Sequence, residues 1–124
     1  MVIRPRRNNE LLVFSYDCTP DETTHCNIDC IGAEVQCYMD VQITNEDEFA
    51  EAARRAREFI RECGWIIEKQ AQSPWWIKTP GLLACLFSKA ERARRIVCNI
   101  ARQDGISLIA YTWKDDNTEP EVNK

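Results

Sequence analysis

The sequence of 124 residues contains one histidine, His25, and only four glycines. One imidazole excludes metal clusters and mechanisms that need two. Each glycine fits a turn or a helix end, so none is left to form a phosphate-binding loop. The chain also lacks a G-x-S-x-G nucleophile elbow and an HExxH zinc motif. The sequence therefore gives no positive indication of an enzyme.

Long apolar segments and a basic excess are missing as well. No stretch approaches the roughly 20 apolar residues of a membrane-spanning helix. No secretory signal is visible, so we expect a cytoplasmic protein without membrane contact. The net charge is −4, which disfavours nucleic acid as a partner because phosphate backbones bind basic surfaces. A hydrophobic content of 44% is typical of a folded chain with one core.

Polar composition marks both ends of the chain. Residues 4–9 are basic and polar, and residues 115–121 are acidic and contain a proline. Neither segment offers apolar side chains to bury. We therefore predict a disordered basic tail over 1–10, a single α+β domain over 11–114 and a disordered acidic tail over 115–124.

Hydrophobic periodicity predicts the first half of the domain. Residues 11–16 read as a short buried strand, and residues 33–43 alternate apolar and polar side chains, as in a strand with one open face. A helix is predicted over 46–63, with a cap at Thr44 or Asn45, acidic residues in its first turn and a stop at Gly64. Residues 65–71 then read as another strand.

The second half repeats this order of elements. Residues 82–87 (LLACLF) are interpreted as a strand by symmetry, with 75–78 as the competing segment. Ser88 and Glu91 predict the start of a helix over 89–104, Gly105 its end, and 106–113 a closing strand. Two βαβ units on one sheet place both helices on the same face. The predicted fold is α+β: a ferredoxin-like α/β plait with an extra N-terminal strand and a mainly antiparallel sheet.

The seven cysteines divide by position. Cys37, Cys63 and Cys85 lie in phase with apolar positions and are interpreted as core residues, whereas Cys98 is ambiguous. Cys18, His25, Cys26 and Cys30 lie in or beside the loop over 17–32. Three thiolates and one imidazole suit tetrahedral zinc, although adjacent His25 and Cys26 are poor co-ligands. One interpretation of these four residues is therefore a zinc site, and packed or free thiols are the competing interpretation.

Trp75 and Trp76 follow Pro74 and cannot both point into one core. Tryptophan is enriched at binding hot spots, so we predict a partner-binding role for this pair, with an edge strand packing one ring over each face as the alternative.

Because an open sheet usually needs covering, the leading functional hypothesis is a small interaction module that forms a homo-oligomer. The alternative is a metal- or redox-responsive protein that uses the Cys18–Cys30 loop. No small-molecule ligand follows from the sequence.

Overall fold

The polypeptide folds around one five-stranded sheet flanked by helices, in a computed structural model that describes residues 3–22, 30–114 and 117–123. The elements are, in chain order, β1 (Glu10–Pro20), β2 (Cys30–Met39), α1 (Glu46–Glu62), β3 (Trp65–Lys78), α2 (Leu82–Phe87), α3 (Lys89–Asp104), β4 (Ile106–Lys114) and β5 (Asn117–Asn123).

Local capping signals set the ends of the two long helices. The Asn45 side chain accepts a hydrogen bond from the backbone N–H of Glu48 at the start of α1. Ser88 accepts from the N–H of Glu91 at the start of α3. Gly105 ends α3 with φ of 89°, a left-handed conformation that favours glycine. The predicted helices over 46–63 and 89–104 are thus confirmed to within one residue.

The strands lie in the order β3-β1-β2-β4-β5, and every neighbouring pair is antiparallel. The prediction of an α+β fold with a mainly antiparallel sheet is confirmed. Since β2 and β3 are both antiparallel to β1, they run parallel to each other with β1 between them. The connection β2–α1–β3 is therefore one βαβ unit, split by the first strand.

The predicted second βαβ unit is wrong, and the ferredoxin-like plait is not confirmed. Residues 82–87 form the short helix α2, and residues 75–78 already belong to β3. β3 and β4 lie on opposite sides of the β1–β2 pair and run antiparallel, so α3 does not connect parallel strands. The segment LLACLF contains no β-branched residue, and its leucines and alanine are strong helix formers.

The prediction that both helices lie on one face is also wrong, because α1 and α3 cover opposite faces of the sheet. Leu12 and Phe14 of β1 pack in a cluster with Ala56 of α1. The alternate residues Leu11 and Val13 pack with α3 in a second cluster. The continuous apolar run of residues 11–14 gives β1 two apolar faces, and both must be covered.

The N-terminal segment is held against the sheet, where the sequence predicted a disordered tail. The guanidinium of Arg4 donates to both carboxylate oxygens of Glu10 at 2.8 and 2.6 Å. The indole N–H of Trp76 donates to the carbonyl of Arg4 at 2.8 Å, and Arg6 forms an ion pair with Asp40 at 2.7 Å. At the other end, residues 117–123 pair with β4 as β5, where an acidic tail was predicted.

This N-terminal contact predicts a loss of stability in acid. Hydrogen bonds from Arg4 lower the pKa of Glu10 to about 2, from an ordinary value of 4.5. Because the folded pKa lies below the unfolded one, the stabilisation is present above pH 4.5 and is lost as the pH falls toward 2. Urea unfolding at pH 7 and near pH 3 should show a smaller pH dependence for Glu10→Gln than for wild type.

Glu62→Gln, at the exposed end of α1, is the matched control for this acid effect. It should preserve the wild-type difference between the two pH values. An equal acid loss in Glu10→Gln and wild type would contradict the assignment to Glu10.

The edge strand β3 is strongly irregular. It has 14 residues and pairs with the 11 residues of β1, and three register shifts accommodate the difference. These β-bulges explain how Pro74 is tolerated within a strand, since proline lacks the N–H that a regular sheet requires. Bulges also twist an edge strand away from further pairing. They place Gln70 opposite Tyr16, on the α1 face of the sheet.

Candidate functional site

The predicted zinc ligands fall only partly within the described residues. His25 and Cys26 lie outside them, and Cys30 begins β2. Cys18 is 2% exposed, and its thiol donates to the carbonyl of Tyr16 at 3.6 Å. Burial raises the pKa of this thiol to about 12, which disfavours the thiolate that binds metals.

No group of three or more His, Cys, Asp or Glu side chains suited to a metal occurs within 3–22, 30–114 and 117–123. The four-residue zinc site stays a prediction, and its proposed member Cys18 is buried under α1.

The other described cysteines separate into buried and exposed thiols. Cys37, Cys85 and Cys98 are buried, as predicted for the first two. The prediction that Cys63 is a core residue is wrong, because α1 ends at Glu62 and Cys63 is the exposed capping residue beyond it. Its backbone N–H closes the last turn of the helix instead.

Native-state alkylation should distinguish these thiols. Among the five cysteines whose thiol burial is described (Cys18, Cys37, Cys63, Cys85 and Cys98), Cys63 should react first with iodoacetamide at about pH 8, because the other four are shielded from the reagent. Peptide mass spectrometry after short labelling measures the order of reaction. Labelling in denaturant should reach all seven cysteines and serves as the control. Labelling of Cys37 or Cys98 before Cys63 would contradict the burial of these two thiols.

Trp75 and Trp76 occupy opposite faces of the edge strand β3. Trp76 pairs with Leu12 and packs on the α1 side, where it is 9% exposed. Trp75 pairs with Val13 and packs, half-buried, on the α3 side. The two rings therefore do not form one shared surface, and Trp76 serves mainly as a core residue.

The largest exposed apolar surface among the described residues lies on α2. Four of its six side chains are apolar and more than two-thirds exposed, and we call them the α2 apolar surface: Leu82 (70%), Leu83 (71%), Leu86 (71%) and Phe87 (85%). Ile96 and Ile100 of α3 are also exposed, at 43% and 37%. Isolated exposed apolar residues are ordinary, but a contiguous group of this kind marks an interaction site.

Contacts with α3 hold α2 in place. Cys85, the buried residue of α2, directs its thiol to the carbonyl of Glu91 at 3.6 Å. Arg92 of α3 donates to the Cys85 carbonyl at 2.8 Å. Gly81 begins the helix without a side-chain cap. A helix that is apolar on all sides is normally buried. α2 is apolar on all sides, yet most of its side chains are exposed to solvent.

A polar network lies on the α3 face of the sheet. One carboxylate oxygen of Glu34 accepts hydrogen bonds from Ser15 (2.7 Å), Gln36 (2.9 Å) and Gln72 (2.6 Å). The Tyr38 hydroxyl donates to Gln36 at 2.9 Å. Partial burial opposes ionisation of Glu34, but the three hydrogen bonds outweigh it and lower the pKa of the carboxyl. The network fixes the register of three neighbouring strands and leaves Glu34 as their shared acceptor.

Tyr38 connects this network to α3. It is fully buried, and burial raises the pKa of its hydroxyl, while Arg94 of α3 lies close enough to oppose that rise. Arg94 also forms an ion pair with Glu91 at 2.6 Å. The outward side of β2, predicted from alternation to face solvent, is therefore partly covered by α3.

Comparison with protein-family models, with curated proteins and with solved structures found no match. None of the helices in the described part of the chain is long and apolar enough to cross a membrane. The case for a function therefore rests on the surfaces of this molecule.

Proposed function

We propose that this protein is a small interaction module that associates with a second copy of itself through the α2 apolar surface. The observation that carries the proposal is the exposure of Leu82, Leu83, Leu86 and Phe87, four large apolar side chains on a six-residue helix. The sequence predicted self-association through the open sheet face or the edge that carries Trp75 and Trp76; the exposure of the α2 apolar surface favours α2 instead.

The chemistry of α2 favours a second copy as the occupant. A twofold interface uses the same patch on both subunits, so the patch must be compatible with itself. Residues 82–87 contain no charged side chain, so two copies can bury this surface without burying a charge. Ile96 and Ile100 extend the apolar area along α3, and exposed Lys89 and Arg92 supply a polar rim.

The expected free energy is consistent with a weak dimer. Burying a large aliphatic or aromatic side chain contributes about 1.5–3 kcal/mol. Four such side chains from each copy give on the order of 10 kcal/mol, because each is already partly covered in the monomer. Association costs about 4–15 kcal/mol in lost translational and rotational freedom. At the low end of that cost the balance is about −6 kcal/mol, which corresponds to a dissociation constant in the tens of micromolar.

Analytical ultracentrifugation of wild type and of the double variant Leu83→Asp/Leu86→Asp tests the proposal. Wild type should form a dimer at roughly 100 µM, and the variant should stay monomeric there, a weakening of at least about tenfold. Circular dichroism should show that the variant is folded, because both side chains are 71% exposed in the monomer.

Ile66→Asp is the matched control, because Ile66 is an exposed apolar residue (49%) on the edge strand β3, away from α2. This variant should dimerise as wild type does. A strictly monomeric wild type, or a dimer lost in Ile66→Asp and kept in the double variant, would refute the proposal.

A further inference from the structure

A concave feature lies on the α1 face of the molecule, between α1 and the edge of the sheet. It is a cavity of about 490 Å³, a volume within the ordinary range of small-molecule sites. Its walls come from the N-terminal segment, β1, α1 and the irregular part of β3. Its lining includes Phe14, Phe49, Tyr16, Arg57, Gln70 and Ser73.

The apolar part of the cavity is aromatic. Phe14 of β1 and Phe49 of α1 contact each other with ring centroids 5.7 Å apart and planes tilted by 45°. Ala53, one turn after Phe49, is small and leaves space beside them. Two aromatic rings and an alanine form a wall suited to a planar or aliphatic group.

The polar part gathers hydrogen-bonding groups at one side. The β-bulges of β3 bring Gln70 and Ser73 to the α1 face, and Gln70 pairs directly with Tyr16. The Tyr16 side chain is 7% exposed, and Arg57 of α1 interacts with its hydroxyl. Burial raises the pKa of Tyr16 despite the neighbouring guanidinium, so the hydroxyl keeps its proton at neutral pH and can donate.

Arg57 differs from the arginine one turn earlier in its partners. Arg54 is exposed and forms ion pairs with Glu51 and Glu58. Arg57 is half-buried, and no ion pair within the described residues includes it. The described residues that line the cavity include no carboxylate. A guanidinium placed in such surroundings is suited to bind an anion, because its planar N–H groups match a carboxylate.

We propose that this cavity binds a small organic monocarboxylate with an apolar, preferably aromatic, body. The carboxylate accepts hydrogen bonds from the Arg57 guanidinium and the Tyr16 hydroxyl, and the body packs on Phe14 and Phe49. A phosphate ester is disfavoured, because Arg57 is the single cationic residue among the described residues that line the cavity. A divalent cation is disfavoured because the described part of the lining contains no carboxylate to hold it.

The cavity is separate from the α2 apolar surface. The cavity lies on the face covered by α1, whereas α2 packs against α3 on the opposite face. Failure of one proposal therefore leaves the other standing.

Isothermal titration calorimetry with 2-naphthoate as the probe, and uncharged naphthalene-2-methanol as its matched analogue, tests the site. Wild type should bind 2-naphthoate saturably. Arg57→Gln should weaken that binding about tenfold or more and change the affinity for the alcohol less than about twofold. Tyr16→Phe should weaken the binding of 2-naphthoate by a smaller factor, because it removes the hydroxyl donor and keeps the Arg57 guanidinium.

Arg61→Gln is the control, because Arg61 lies one turn beyond Arg57 on α1, is exposed and does not line the cavity. The Arg61→Gln variant should bind 2-naphthoate with the same affinity as wild type. Magnetisation transfer from the bound probe to the Phe49 ring should place the ligand independently of the variants. Absence of saturable binding by wild type up to about 10 mM, or equal binding by Arg57→Gln and wild type, would overturn the proposal.

Discussion

Leu11→Ala and Leu12→Ala should each lower the free energy of unfolding by about 2–5 kcal/mol, although the two residues are adjacent in a strand. Both side chains are fully buried, Leu11 beneath α3 and Leu12 beneath α1. Successive side chains of a strand point to opposite faces, so each substitution leaves a cavity in a different cluster. Urea unfolding of the two variants against wild type measures the losses.

Leu83→Ala supplies the control for these two variants. It removes the same atoms from a side chain that is 71% exposed, so the unfolding free energy of the monomer should change by less than about 0.5 kcal/mol. The measurement should be made at a concentration below any dimerisation. A large loss for one leucine of β1 and almost none for the other would indicate a sheet with one open face.

Glu34→Ala should lower the free energy of unfolding by about 2–3 kcal/mol. The substitution removes the acceptor of three hydrogen bonds at once. Two of the donors, on Ser15 and Gln36, belong to residues that are 1% and 6% exposed. A buried donor without a partner costs about 1–3 kcal/mol, and water reaching the half-buried site recovers part of that cost. The third donor, Gln72, is exposed and can bind water instead.

The pH dependence gives this prediction a second measurement. Because the pKa of Glu34 is lowered in the folded protein, its contribution is present above the unfolded pKa and is lost as the pH falls through the folded value. Glu34→Ala should therefore differ most from wild type near neutral pH and less in acid. Glu68→Ala, at an exposed glutamate of β3, should show neither effect. A loss for Glu34→Ala that is equal at pH 7 and pH 3 would argue against the ionised network.

Local interactions let the sequence determine the two long helices and most strand positions. Asn45, Ser88 and Gly105 act within one helical turn, so their patterns could be recognised without knowledge of the fold. The apolar positions of β2 are set by alternation alone, and Val35 and Cys37 are buried as expected. The single apolar run of residues 11–14 was also recognised as a buried strand.

Non-local contacts decided what the sequence pattern could not. Residues 82–87 are apolar at every position, and such a short run has no period that separates a strand from a helix. Packing against α3 stabilises residues 82–87 as a helix. In this helix Leu82, Leu83, Leu86 and Phe87 are exposed, a surface that the predicted strand did not reveal. The run of leucines itself was the available signal, since a strand with that composition would have needed two covered faces.

The arrangement of the helices and the cavity beneath α1 depends on tertiary structure in the same way. The apolar stripe of an amphipathic helix shows which of its residues are buried, but not which face of the sheet they pack against. That choice follows from the strand order, which places β1 between β2 and β3 and leaves both of its faces to be covered. The bulges of β3 then bring Gln70 and Ser73 near Tyr16 and Arg57. The sequence by itself located the long helices and the centres of four strands, because those signals act over a few residues. The strand ends differ: β2 is Cys30–Met39 where 33–43 was predicted, and β1 and β3 extend to Pro20 and Lys78, beyond the predicted ends at 16 and 71. Only the tertiary structure decided which face of the sheet each long helix covers, that residues 82–87 form a helix, and where the cavity lies. These features depend on contacts between segments far apart in the chain.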